Sequence, residues 1–232
     1  MATQSSQSDP TSAPVVASVP PLETGDALTR PEFERRYEAM PWLKKAELID
    51  GVVYVGPPVA IQHASADARL TSLLTVYAAQ TPGVESAGNA TVRLDMTSEV
   101  QPDALLRIVA GGQSRAEKYI EGPPELVAEV ASSSVSRDMH SKLALYRRHG
   151  VGEYVVWRVL EDAVDWFRLN QGEYRPLPAD ERGIVRSHEF PGLWLDRPAL
   201  LRGDMAAALA VLSEGLASPE HAEFVARDAL RG

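Results

Sequence analysis

The part of the chain that most constrains its fold is residues 124–158, where the apolar pattern changes twice. A short apolar run at residues 126–131, bounded by proline and serine, predicts a buried β-strand. Serines and Asp138 then provide a helix start, and Gly150 provides its end. A second apolar run at residues 153–159 predicts another strand. The stretch therefore predicts a strand–helix–strand unit, around which the other elements are organised.

One acidic residue interrupts the first of these predicted strands. Glu129 lies among apolar residues, and a carboxylate is costly to bury unless it is paired or binds a metal ion. In the helix that follows, Asp138, Lys142 and Tyr146 recur at intervals of four residues, which predicts that they share one side of the helix. The strand thus carries an acid, and the helix behind it carries a cation.

Length and composition limit the classes to which the protein can belong. A chain of 232 residues with 44% hydrophobic residues predicts one domain with tails. Neither a membrane-spanning run nor a secretory signal is expected, because no apolar segment is long enough and the N-terminus lacks a basic start. The absence of cysteine excludes disulfides and thiolate metal sites and favours a cytoplasmic location. The net charge of −9 argues against a broad basic surface, although it allows a local basic cleft.

Composition divides the chain into three regions. Residues 1–24 are mostly Ser, Thr, Pro, Ala and Gln, so we expect a disordered N-terminal tail. Residues 25–196 carry the alternating strand and helix patterns and form the predicted domain. Residues 197–232 are rich in alanine and predict a helical extension, which we expect to serve packing or a homodimer contact.

The predicted domain contains further elements on both sides of the central unit. Helices are predicted at residues 28–40 and 62–80, and the Asp50-Gly51 pair predicts a hairpin turn within residues 46–55. Additional strands are predicted at residues 84–86, 91–94, 100–108, 163–169, 173–176, 183–186 and 193–195.

Two acids and a lysine form the constellation that carries chemistry. Asp103 follows a proline at the entry to a predicted strand, and Glu129 lies one strand later. Carboxylates on adjacent strands can converge and offer the hard oxygen ligands that Mg²⁺ or Mn²⁺ prefers. Such a metal ion polarises a phosphate and activates water, while an ammonium such as that of Lys142 orients that water or offsets developing charge. These residues are the minimum set for metal-assisted hydrolysis of phosphodiester bonds.

Several short motifs accompany this constellation in a fixed order. They are Glu47-Leu-Ile-Asp-Gly51, His63, Pro102-Asp103, Glu129-Val130-x-Ser132, Asp138-x-x-x-Lys142-x-x-x-Tyr146, Gly150-Val-x-Glu-Tyr154 and Pro191-Gly-Leu193. Together they resemble the Uma-two (Uma2) family of restriction-endonuclease-like proteins, within the PD-(D/E)XK nuclease superfamily. The resemblance spans residues 33–195 and implies an α/β fold, with a restriction-endonuclease-like mixed central sheet flanked by helices.

The resemblance also implies an activity and its participants. It implies a Mg²⁺- or Mn²⁺-dependent endonuclease, a hydrolase whose metal is held by Asp103 and Glu129, with the Val130 carbonyl as a further ligand. The superfamily pattern places a lysine two residues after the glutamate, where this chain has Ala131. Lys142 on the following helix is therefore the expected catalytic cation. Nucleic acid is the expected partner, with DNA favoured over RNA.

Three further residues are auxiliary candidates, and each also has a structural explanation. Glu47 would be a third acid of the site or a solvent-facing hairpin residue. His63 would assist the site or only begin a helix, and Tyr146 would be a packing residue with a polar tip.

The main candidates have such explanations too. In a purely structural interpretation, Asp103 is only a strand-entry residue, and Lys142 forms an i, i+4 ion pair with Asp138 on the helix surface. The alternative function is accordingly a catalytically inactive nucleic-acid-binding or protein-interaction module on the same fold.

Overall fold

The computed structural model describes residues 19–132 and 134–228. Of the predicted N-terminal tail, residues 1–18 lie outside the described residues. Residues 19–24 contact the domain, contrary to the predicted boundary at residue 24. Leu22 is buried beside Phe33 in a small apolar cluster, and the Thr24 hydroxyl accepts a hydrogen bond from the Val55 N–H. One apolar side chain therefore brings this segment into the fold.

The helices agree with the predicted positions, with one difference at the C-terminal end. Within the described residues there are six α-helices: α1 (Arg30–Glu38), α2 (Ile61–Ala79), α3 (Leu143–His149), α4 (Arg197–Arg202), α5 (Met205–Leu216) and α6 (Pro219–Asp228). The helical extension predicted after residue 197 consists of three helices, because Gly203 ends α4 in a left-handed conformation and the Asp204 side chain caps α5.

The strands in the described part of the chain include all those predicted. They are β1 (Ala46–Ile49), β2 (Val52–Val55), β3 (Val84–Gly88), β4 (Val92–Asp95), β5 (Ser98–Val100), β6 (Ala104–Ile108), β7 (Arg115–Ala116), β8 (Ile120–Glu121), β9 (Leu126–Ala131), β10 (Glu153–Arg158), β11 (Ala163–Asn170), β12 (Glu173–Pro176), β13 (Ile184–Arg186) and β14 (Trp194–Asp196).

The strands form two six-stranded sheets and one small two-stranded sheet. The N-terminal sheet has the order β2-β1-β5-β4-β8-β7, and the central sheet has the order β12-β11-β10-β9-β6-β3. The predicted strand–helix–strand unit is β9, α3 and β10, whose two strands pair in parallel, whereas the other pairs of the central sheet are antiparallel. The predicted α/β class with a mixed sheet flanked by helices is confirmed.

The single strand predicted at residues 100–108 is divided between the two sheets. β5 pairs with β1 and β4 of the N-terminal sheet, whereas β6 pairs with β3 and β9 of the central sheet. The chain crosses from one sheet to the other at residues 101–103, where Pro102 has no N–H to donate to a ladder. Asp103 therefore lies at the crossing point between the sheets.

The alternation of side chains along β9 decides what each face of the central sheet contacts. Leu126, Ala128 and Val130 pack in the apolar cluster shared with α2, α4, α5 and α6. Val127 and Ala131 pack on the opposite face, in a cluster that joins α3 to the N-terminal sheet. Glu129 belongs to this second face because successive side chains of a strand alternate. The helices after residue 197 share the first cluster, so they complete the core of the domain.

A second buried acid in the central unit has a structural role. Glu153 begins β10 and pairs in register with Leu126, on the face opposite to Glu129. Its carboxylate accepts hydrogen bonds from Trp166 Nε1, the Ser187 hydroxyl and the backbone N–H groups of His188 and the next residue. This one side chain therefore holds the segment before β14 against the central sheet.

Replacing Glu153 with alanine is expected to lower the free energy of unfolding by about 2–4 kcal/mol, because two buried donors, Trp166 Nε1 and the Ser187 hydroxyl, and two part-buried N–H groups lose their acceptor. Urea denaturation measures the loss. The matched control is Glu173→Ala, which removes an exposed ion pair with Arg147 and should lower the same free energy by less than about 1 kcal/mol. Equal losses in the two variants would contradict the anchoring role of Glu153.

Candidate active site

The two acids predicted for the site lie beside each other, Asp103 immediately before β6 and Glu129 on the neighbouring strand β9. Ala104 of β6 stands opposite Ala128 of β9 in an antiparallel pair, so Asp103 and Glu129 face each other one position further along. The Asp103 Oδ2 atom accepts a hydrogen bond of 2.7 Å from the Val130 N–H. This bond ties Asp103 to the strand that carries Glu129. The carbonyl of Val130 stays a predicted metal ligand.

Glu129 also belongs to a buried group of charged and polar side chains. We call this group the inner cluster: Glu47, Glu129, Asp138, Lys142 and Tyr146. The Lys142 Nζ atom is 2.8 Å from both Glu47 Oε1 and Glu129 Oε1, and 3.9 Å from Asp138 Oδ1. The Tyr146 hydroxyl donates a 2.9 Å hydrogen bond to the same Glu129 oxygen. The Lys142 side chain is only 1% exposed, so carboxylates balance its charge and water does not solvate it.

The backbone at the start of the predicted helix is not α-helical. Arg137–Lys142 form a π-helical segment that continues into α3, and such segments are frequent at functional sites. Asp138 and Lys142 are both buried there, and Asp138 also accepts a hydrogen bond from the Ser134 hydroxyl. The predicted sharing of one helix side therefore holds, although the first turn is wider than an α-helical turn.

Glu47 reaches the inner cluster from the other sheet. Along β1, the side chains of Ala46 and Leu48 pack in one apolar cluster, and that of Ile49 packs in another on the opposite face. Because side chains alternate along a strand, Glu47 lies on the same face as Ile49. Its Oε1 atom also accepts a 2.9 Å hydrogen bond from the Gln101 N–H, at the crossing between the sheets. The solvent-facing alternative for Glu47 is wrong, because the residue is 2% exposed.

A second cation, which the sequence analysis missed, lies nearer to solvent. The Lys45 Nζ atom is 2.7 Å from Asp103 Oδ1, and its side chain is 27% exposed. We call Lys45 and Asp103 the outer pair. The available signal was the position of Lys45 two residues before Glu47, which places both on the same side of an extended chain.

His63 lies beside the outer pair, near the start of α2. Its Nε2 atom is 3.9 Å from Asp103 Oδ2. Asp67 follows one turn later on the same helix, and burial together with the charge of Asp103 raises the pKa of the Asp67 carboxyl. The structure therefore brings all six predicted site residues into one region between the sheets.

Burial and charge set different protonation states for the two acids that share Lys142. Burial raises the pKa of Glu129 to about 8. The negative charges of Asp103 and Glu47 add to this shift, and the positive charge of Lys142 opposes it. Burial also opposes ionisation of Glu47, but Lys142, Lys45 and the Gln101 N–H together lower the pKa of Glu47. Glu129 is therefore the acid that takes up a proton near neutral pH, whereas Glu47 stays ionised.

The donor set of this region fits a divalent metal ion in its chemistry. Four carboxylates (Glu47, Asp103, Glu129 and Asp138) face two ammonium groups, leaving two formal negative charges when all are ionised. All the acidic donors are hard oxygens, which suit Mg²⁺ or Mn²⁺. Within residues 19–132 and 134–228, however, no three His, Asp or Glu side chains are already grouped as a metal site. Metal binding would therefore compete with the lysines for carboxylate oxygens.

Comparisons with known proteins agree with this architecture. The Uma2 family, described as "Putative restriction endonuclease", matches residues 30–198. A solved structure described as "a putative nuclease belonging to DUF820" from Anabaena variabilis is similar with a TM-score of 0.56 and 14% sequence identity, over 72% of this chain and 96% of that chain. At this identity the similarity shows the fold. No curated protein matches this chain. In the described part of the chain, no helix has the length and apolar character needed to cross a membrane.

Proposed function

The chain belongs to the Uma2 family of restriction-endonuclease-like proteins, and from this premise we propose that it is a nuclease that hydrolyses phosphodiester bonds with a divalent metal ion. The observation that carries the proposal is the position of Asp103, immediately before β6, beside Glu129 on the adjacent strand β9, within a group of side chains that has excess negative charge. Nucleic acid is the proposed substrate, and DNA is favoured over RNA.

In this proposal Asp103 and Glu129 hold Mg²⁺ or Mn²⁺, which supplies polarisation of the phosphate and activation of water when bound. The Val130 N–H orients Asp103 through its hydrogen bond. Lys142 and Tyr146 both contact one oxygen of Glu129 and leave its other oxygen without a hydrogen bond from them. The chain thus holds Glu129 at one oxygen and Asp103 at both, with Lys45 at Oδ1 and the Val130 N–H at Oδ2, which restricts the rotation of each acid before any ligand binds.

We assign Lys142 the role of a positioning residue rather than that of a cation in contact with substrate. Its ammonium is buried and already contacts Glu47 and Glu129 at 2.8 Å. A group in this position acts on the reaction by fixing Glu129 and by balancing the charge of Glu47. This assignment replaces the contact with water or with developing phosphate charge that the sequence led us to expect of Lys142.

A cleavage assay tests the proposed function. Single- and double-stranded DNA and RNA are incubated with the protein and either Mn²⁺, Mg²⁺ or a chelator, and Asp103→Asn serves as the matched variant. Cleavage should require metal, and Asp103→Asn should reduce its rate by at least about 100-fold. Mn²⁺ should also raise the melting temperature of the wild-type protein, because a ligand that binds the folded state stabilises it.

The alternative function predicts a different result in the same assay. A protein that cleaves none of these nucleic acids, and whose melting temperature does not respond to Mn²⁺, would overturn the nuclease proposal. A catalytically inactive binding module on this fold would then be the better description.

A further inference from the structure

We propose that Lys45 is the substrate-facing cation of the site. In the free protein its ammonium neutralises Asp103, and it contacts the substrate phosphate once a divalent metal ion binds Asp103. This inference rests on the proposed nuclease function and adds a residue outside the motifs named in the sequence analysis.

The first support is the different exposure of the two lysines. The Lys142 side chain is 1% exposed and is held by two carboxylates, whereas the Lys45 side chain is 27% exposed and its one ion-pair partner within the described residues is Asp103. An anionic substrate that approaches from solvent can therefore reach Lys45 without disturbing the inner cluster. A phosphate that approaches Lys142 would have to displace buried ion pairs.

The second support is the way in which the backbone holds Lys45. Its carbonyl accepts a 2.9 Å hydrogen bond from the Gly56 N–H. A β-carbon built on Gly56 would lie 3.3 Å from the β-carbon of Lys45, so glycine at this position leaves room for the lysine stem. The backbone of Lys45 is therefore fixed beside the site, while the long side chain keeps rotatable bonds along which the ammonium can move.

The third support is charge competition at Asp103. The Lys45 ammonium occupies Asp103 Oδ1 at 2.7 Å, and like charges at such short distances repel strongly in a partly buried site. A divalent cation at Asp103 would therefore push the ammonium away. A phosphate is the ligand that compensates this charge.

The test measures Mn²⁺ affinity without nucleic acid, by isothermal titration calorimetry, and then cleavage of the substrate panel. Lys45→Met retains the length of the stem and removes the charge, and Lys44→Met is the matched control because Lys44 is an exposed neighbour. Lys45→Met should bind Mn²⁺ about 10-fold more tightly than wild type and should cleave at least about 10-fold more slowly. Lys44→Met should resemble wild type in both measurements. Lys45→Arg, which retains the competing charge, should keep the Mn²⁺ affinity near that of wild type.

The outcomes separate this inference from the proposed function. If the wild type cleaves with metal and Lys45→Met has the same Mn²⁺ affinity as Lys44→Met, the inference is overturned and the nuclease function stands. If only Lys45→Met binds Mn²⁺, the competition at Asp103 is supported although the wild type is not a metal-dependent nuclease. If neither protein binds Mn²⁺, both proposals are overturned. Melting curves in chelator establish that each variant is folded.

Discussion

Replacing Lys142 with methionine is expected to lower the free energy of unfolding by about 3–5 kcal/mol, because a buried ion cluster would lose its cation. The Lys142 ammonium lies 2.8 Å from both Glu47 and Glu129, and neither acid has access to water that could replace this contact. Methionine fills a similar volume, so the loss reports mainly on charge. Urea denaturation near pH 7 in the presence of chelator measures it.

A double-mutant cycle identifies which acid causes the loss. Glu47 is the ionised partner, because Lys142 and Lys45 lower its pKa against the effect of burial. Glu47→Gln should therefore stabilise the Lys142→Met protein while it destabilises the wild type, which is the signature of direct coupling. Arg147→Met, which breaks an exposed pair with Glu173, should lower the free energy of unfolding by less than about 1 kcal/mol. A similarly small loss for Lys142→Met would contradict the buried cluster.

Replacing Glu129 with glutamine is expected to lower the rate of cleavage without lowering the free energy of unfolding. Cleavage in Mn²⁺ should fall by at least about 100-fold, because glutamine is a poorer ligand for a hard cation than a carboxylate. Stability in chelator should not fall at alkaline pH and should exceed that of wild type. The reason is that burial raises the pKa of Glu129 to about 8, so the fold favours the neutral side chain that glutamine imitates.

The sign of the pH dependence follows from this shift. The pKa of Glu129 rises from 4.5 to about 8 on folding, so between these values the folded state binds more protons than the unfolded state. The contribution of Glu129 to stability is therefore complete below about pH 4.5 and decreases as the pH rises to about 8, by at most about 1.4 kcal/mol per pH unit.

Urea denaturation of wild type and Glu129→Gln at pH values of about 5, 7 and 9 measures this contribution as the difference between the two proteins. Acids that do not interact with Glu129 titrate alike in both proteins, so their effects cancel in that difference. Glu173→Gln, at an exposed position, should give a curve parallel to that of wild type. A curve for Glu129→Gln that is also parallel would show that the fold does not favour protonated Glu129.

Much of the architecture could be predicted from local patterns along the chain. The Asp50-Gly51 pair predicted a two-residue hairpin turn, and both residues adopt the positive φ angles that this turn requires. The apolar spacing of α2 predicted its position to within one residue at each end. The apolar run around Glu129 predicted a buried acid, since a carboxylate within a short apolar run does not fit a solvated surface, and the run is a fully buried strand. These features depend on the conformational preferences of neighbouring residues, which a sequence displays directly.

The composition of the site depended on the tertiary structure. Lys45 and Asp103 are 58 residues apart in sequence and meet because the chain changes sheets at residues 101–103. Lys142 has the same charge as Lys45, yet it is buried because β1 brings Glu47 over the helix that carries it. Pairing between distant strands decides which charges face each other and which of them water can reach. The residue types at these positions were evident in the chain, but their partners and their burial arise only when the two sheets pack together.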